Sequence, residues 1–133
     1  MGYYFSINDA NLIILDVTEK LNRIKKLKNQ LNQCERQLKD VVTSSDSLQN
    51  YITAKQEFNT VLTAFYHSID DLEKTGVILK DLDNGLIDFP SKRFNEEIWL
   101  CWKEGESEIK FWHEKNAGFL NRKPIFADAN SLV

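Results

Sequence analysis

The sequence predicts an α+β fold: a long antiparallel two-helix coiled-coil hairpin, then a small antiparallel β-sheet module packed at the hairpin's open end. Three observations predict it. Apolar residues recur three and four apart from Ala10 to Leu72, the helical period. Beyond Gly76 they alternate with period two, as in half-buried strands. The two helical runs also mirror each other about Ser44-Ser45, as the arms of a hairpin must.

Helix one opens at Ser6, which with Asp9 reads as a capping box, while Phe5 and Ala10 are placed for a hydrophobic staple. Ala10, Ile14, Val17, Leu21, Ile24, Leu27, Leu31, Cys34, Leu38 and Val41 then hold the period with no Gly or Pro between them. At 1.5 Å per residue this is one helix of about 50 Å. Thr43-Ser44-Ser45-Asp46 supplies a turn and a new N-cap. Leu48, Tyr51, Phe58, Leu62, Phe65, Ile69 and Leu72 form the second run, and Gly76 is its stop. The mirror pairs Val41 with Leu48, Leu38 with Tyr51, Leu31 with Phe58, Leu27 with Leu62, Ile24 with Phe65 and Val17 with Leu72. Lys55, opposite Cys34, is the flaw, with its stem along the seam and its ammonium in water. Ala10, Ile13 and Ile14 outrun helix two, so the sheet must cover them.

In the sheet half, strands 77–82 and 86–89 flank Asp83-Asn84-Gly85. A three-residue loop there sets Leu82 against Leu86 and Lys80 against Asp88. A two-residue loop would oppose Asp81 and Asp88, a like-charge pair, and is disfavoured. Pro90 ends the strand or keeps it on an edge. Strands 97–103 and 108–113 form a second hairpin through a type II′ turn with Gly105 at its first central position. That register places Ile98, Leu100, Trp102, Ile109 and Phe111 on a core face with His113 at its end. The other face pairs Lys103 with Glu108, Cys101 with Lys110 and Trp99 with Trp112. The expected interface is therefore Trp99, Cys101 and Trp112, an apolar patch either covered by 118–125 or used in self-association.

Composition narrows the function classes. With 133 residues, 42% hydrophobic and 28% charged, the chain is long enough for one globular domain over 1–133: hairpin 6–75, β module 77–125 and a loose tail 126–133. A net charge of −3 argues against coating nucleic acid by bulk electrostatics. Lys20, Arg23, Lys25, Lys26 and Lys28 nevertheless cluster on helix one as a candidate phosphate-contacting face, set against Asp70, Asp71 and Glu73 as neutralising neighbours. No membrane span or signal peptide is evident. Two distant cysteines fit a reducing cytoplasm. His67 falls on an outer helix face.

No CxxC, HExxH, GxSxG or phosphate-binding glycine loop is present. Cys101 and His113 point to opposite faces in the expected register, so a shared ion would need a bulge; no metal and no cofactor is expected. The polar residues that could serve as acid, base or anion clamp are Asp88, Glu106, His113 and Arg122.

The strings FSINDAN, GVILKDLDNGLIDFP, LCWKEGE and IKFWHEKNAGFLNRKPI resemble the prokaryotic family known as Domain of Unknown Function 2203, over residues 3 to about 125. The resemblance implies no established activity. It directs attention to Lys80-Asp81, Asp88-Phe89-Pro90, Cys101-Trp102, Gly105-Glu106, Trp112-His113, Gly118 and Arg122, which match its motifs. The leading expectation is a non-enzymatic interaction or scaffold protein that self-associates as a dimer, through the hairpin or the tryptophan face. The alternative is a small-ligand or metal-dependent enzyme built on the polar cluster. A further alternative is an RNA- or ribosome-associated factor using the basic face.

Overall fold

The computed structural model describes residues 4–44 and 47–125. The turn residues Ser45 and Asp46, and the tail expected over 126–133, lie outside the described residues. The chain divides into two compact units, one formed by the residues up to Leu21 and from Leu72 onward, the other by Asn22–Asp71. The fold is α+β, with two long helices followed by a five-stranded antiparallel sheet. Among the described residues no helix is long and apolar enough to cross a membrane.

Helix α1 (Ile7–Leu12) starts where expected: Ser6 Oγ accepts the Asp9 N–H at 3.0 Å. The expectation of one unbroken helix is corrected. The helix breaks at Ile13, which sits at φ −104° and ψ 5°, and resumes as α2 (Ile14–Thr43). No Gly or Pro causes this. The break follows Asn11, whose Oδ1 accepts the Ile109 N–H at 2.7 Å and ties the first turns to the segment after Lys103.

In the 22–71 unit α2 packs against α3 (Leu48–Glu73), with Ile24, Leu27, Leu31 and Phe65 buried and the Lys28 ammonium 5.6 Å from the Phe65 ring. The inward stripe of α3 differs from the expected one by a small rotation. Ala54, Phe58, Val61, Phe65, Ser68 and Leu72 are covered in a strict four-three spacing, whereas Lys55 is exposed, its ammonium 5.9 Å from the Phe58 ring. Ser68 is tolerated inside because its hydroxyl donates to the Phe65 carbonyl at 2.6 Å. The seam loosens toward the turn: Leu48 is 74% exposed, so the expected Val41–Leu48 pair does not close. Gly76 lies beyond the end of α3 at φ +104°, the left-handed region that a stop residue needs.

In the other unit the strands run in chain order: β1 (Ile78–Asp81), β2 (Leu86–Arg93), β3 (Glu96–Lys103), β4 (Phe111–Glu114) and β5 (Lys123–Pro124). Neither expected register of the first hairpin forms. Ile78 pairs with Asp88, Leu79 with Ile87 and Asp81 with Leu86, with a bulge at Lys80. Asp81 causes the difference. Its carboxylate accepts the Asn84 N–H at 3.1 Å and the Asn84 amide at 2.7 Å, which fixes a longer loop closed by Gly85 at φ +64°. Pro90 does not end β2. It sits beyond the reach of β1, where its carbonyl accepts the Phe5 N–H at 2.7 Å. Strand β2 continues to a two-residue turn, Phe94-Asn95, both in the left-handed region at φ 51° and 66°.

The decisive correction concerns β3 and β4. The observed pairs are Ile98 with Glu114, Trp99 with His113, Leu100 with Trp112 and Cys101 with Phe111. The turn falls one residue earlier than expected, and the irregular stretch 107–110 that follows it sets where β4 begins. Glu106 N–H donates to the Lys103 carbonyl at 3.0 Å, so Gly105 is the second central residue, at φ +101°. Trp102 Nε1 donates to the Glu106 carbonyl at 2.8 Å and Lys103 N–H to Glu106 Oε1 at 2.8 Å, which pin this geometry. Slipping a strand by one residue moves its side chains to the other face. Trp112 therefore joins Ile87, Phe89, Ile98, Leu100 and Trp102 in the core, where Phe5 meets Phe89 edge-on at 5.2 Å. Ala10, Ile14, Val17, Leu21, Leu72 and Val77 complete that core.

Candidate functional site

On the opposite face of the sheet the same register brings together what the expected one separated. Asp88 of β2 pairs with Cys101 of β3, Cys101 with Phe111 of β4, and His113 follows two residues on, on the same face. The expectation that Cys101 and His113 point to opposite faces is thus overturned. Asp88, Cys101 and His113 are 2%, 1% and 3% exposed, and one ligating atom from each lies within 4.8 Å of the other two.

His113 is held from both sides. Nδ1 is 2.9 Å from the Glu114 carbonyl, and Nε2 is 3.2 and 3.3 Å from the two Asp88 oxygens. A carbonyl only accepts, so Nδ1 carries a proton and Nε2 is the nitrogen presented to Asp88. Burial raises the Asp88 pKa, opposed by His113, Lys80 and a hydrogen bond from Cys101. Burial and the neighbouring Asp88 charge push the Cys101 thiol up to about 11, against a pull from Arg122.

A second pair stands behind the thiol. Arg122 Nη1 and Nη2 donate to Glu106 Oε1 and Oε2 at 3.3 and 2.9 Å, a two-pronged contact. The guanidinium lies 3.9 Å from the centre of the Phe111 ring and 4.3 Å from that of Phe119. The stretch from Ala117 through the short 3-10 turn Phe119–Asn121 lies over this face, as expected for 118–125 if the face were covered. Lys80, Leu86, Ala117, Gly118 and Phe119 line with the buried trio a partly open cavity of about 130 Å³. Lys80, displaced by its bulge, holds its ammonium 5.1 Å from the Trp99 ring.

All four polar candidates therefore meet around Cys101: Asp88 and His113 on one side, Glu106 and Arg122 on the other. The interface expectation fares differently. Trp99 is half-buried beside the site, Trp112 lies in the core on the far face, and Cys101 is enclosed, so the paired-tryptophan patch does not form. Sequence reasoning missed Cys101 as the centre of the cluster. The signal was its alternation with Asp88 and His113, legible only once the register is known. Of the basic residues, Lys20 donates to Asp16 at 2.7 Å and Lys28 lies over Phe65, while Arg23 and Lys26 are exposed and Lys25 half-buried. His67 is exposed, as expected.

Of the positions that carried the family resemblance, Lys80, Asp88, Cys101, Glu106, His113, Gly118 and Arg122 lie in or around this cluster, whereas Phe89, Trp102 and Trp112 lie in the core on the other face. No curated protein and no solved structure matches the chain. A family model described as an uncharacterized conserved protein, DUF2203, matches residues 3–125, and the chain belongs to that family.

Proposed function

We propose that this protein acts through a small-ligand centre in its β module, with Asp88, Cys101 and His113 facing the cavity. One observation carries the reading. Four polar side chains from four separate segments meet around a single thiol, and two of them, Asp88 and His113, are almost fully buried, as is the thiol itself. Buried charged groups stabilise a fold poorly compared with apolar residues of similar volume. Their assembly here, lining a cavity that opens to the surface, fits ligand chemistry better than packing. The two free thiols accord with a reducing, cytoplasmic setting.

Native mass spectrometry of the full chain, purified without denaturation from a cell lysate, tests this. The wild-type chain retains an added mass that Asp88→Asn and His113→Gln lose. A wild-type chain free of any adduct, with no thermal shift across metabolite and metal panels, counts against the centre.

A second reading, an interaction or scaffold protein that dimerises through the hairpin, is favoured by a different observation. Val42, Leu48, Tyr51 and Ile52 are all exposed near the hairpin turn. Light scattering coupled to size exclusion decides it: a dimer lost in Leu48→Lys/Ile52→Lys supports the reading, and a monomer at high concentration removes it.

A further inference from the structure

The Asp88–His113 contact raises a question of proton placement. Nδ1 of His113 lies 2.9 Å from the Glu114 carbonyl, which can only accept, so it donates there and leaves the Nε2 lone pair aimed at a carboxylate 3.2 Å away. Two acceptors buried face to face repel unless a cation stands between them, and the cation is either a proton or a metal ion. Cys101 Sγ is the third donor atom at the same point.

We propose that Asp88, Cys101 and His113 bind a divalent transition-metal ion of the zinc class, an inference that rests on the small-ligand reading and names its ligand. The donor set of one thiolate, one imidazole and one carboxylate suits Zn²⁺, Co²⁺ or Fe²⁺ and disfavours Mg²⁺ or Ca²⁺, which take oxygen ligands. In tetrahedral zinc sites the ligand atoms lie roughly 3.3–3.8 Å apart, given metal bonds of about 2.0–2.3 Å. The three atoms, all within 4.8 Å of one another, lie at most about 1 Å outside that spacing. The usual supports of a metal site are also in place. A backbone carbonyl orients the imidazole through Nδ1, and Arg122, fixed by Glu106, lies beside the sulfur.

Three protein ligands leave a fourth position, and the cavity lined by Lys80, Gly118 and Phe119 is where it opens. A metal dication, a thiolate and a carboxylate sum to zero charge, so the Lys80 ammonium leaves the pocket positive. The fourth ligand is accordingly hydroxide or a small oxyanion. This arrangement, closed on the protein side and open on one other, belongs to reactive metal sites and not to structural ones.

Cobalt substitution tests the assignment on the full chain stripped with chelator. One equivalent of Co²⁺ gives the wild-type chain a sulfur-to-cobalt charge-transfer band in the near ultraviolet. The band survives Cys34→Ser and vanishes in Cys101→Ser. His113→Gln and Asp88→Asn each weaken zinc binding by at least ~10-fold in competition with a chelating dye. A wild-type chain with no band, or a band that follows Cys34, overturns the site whether or not the variants fold. An organic adduct that lacks metal in native mass spectrometry overturns the metal and leaves the small-ligand reading standing. Neither adduct nor metal removes both.

Discussion

The Glu106–Arg122 pair holds the wall of the site behind Cys101, and a double-mutant cycle measures how firmly. The side chains are 18% and 17% exposed and meet through two hydrogen bonds, at 2.9 and 3.3 Å. With charge centres about 4 Å apart and an effective dielectric near 20, attraction is about 4 kcal/mol before the cost of removing both groups from water. Partial burial returns about half of that, so the coupling is about 2 kcal/mol. Arg122→Met alone removes the charge and strands Glu106, whose Oε1 keeps the Lys103 N–H. It retains apolar packing between Phe111 and Phe119 and costs about 2–3 kcal/mol. Glu106→Gln costs about 2 kcal/mol, and the double variant costs about 2 kcal/mol less than the sum. With a urea slope near 2 kcal/mol/M, each single variant lowers the unfolding midpoint by about 1 M. A coupling below about 0.5 kcal/mol marks the contact as a surface pair of no structural weight and refutes the account of the wall.

Phe94→Asn relieves a left-handed phenylalanine in the β2–β3 turn and raises stability by about 0.5–1 kcal/mol in urea unfolding; a loss shows that its ring packing matters more. Gly85→Ala puts a Cβ at φ +64° and 2.7 Å from Glu104 Cβ, and lowers stability by about 2 kcal/mol; a neutral result means that the loop relaxes freely. Phe89→Ala, fully buried against Phe5, costs about 3–5 kcal/mol, while Leu120→Ser, on the exposed 3-10 turn, stays within about 0.5 kcal/mol. Equal losses at the two positions contradict the assigned faces. At pH 8, in the metal-free chain, a disulfide reagent labels half-buried Cys34 rapidly. It reaches Cys101, enclosed and with its thiol pushed up to about 11, only on unfolding. Equal labelling of both thiols contradicts the enclosure.

The helices were legible because a three-four period over so many positions has one interpretation. Their details were not. The break at Ile13 accompanies a hydrogen bond from Ile109 to Asn11, nearly the whole chain away. The choice of Ala54 over Lys55 at the seam is a small rotation that several spacings allow. The strands were legible as strands, and the register was the weak link. Gly105 suits the second central position of one turn and the first of another. The choice between them is made by the Glu106 side chain on Lys103 and by Trp102 on the Glu106 carbonyl. The earlier turn alone would shift the pairing the other way; the irregular stretch 107–110 that follows it sets β4 one residue along from the expected register, which puts Trp112 in the core and His113 beside Cys101. The four polar candidates were legible as a set because their residue types are costly to bury without purpose. Their meeting point was invisible until Asp88, Cys101 and His113 shared a face.

That shared face is the central claim, and X-ray absorption at the zinc edge of the zinc-loaded full chain probes it directly. The account predicts a shell with one sulfur at about 2.3 Å and nitrogen or oxygen neighbours at about 2.0–2.1 Å, including imidazole scattering. A shell of oxygen and nitrogen alone, unchanged in Cys101→Ser, contradicts it.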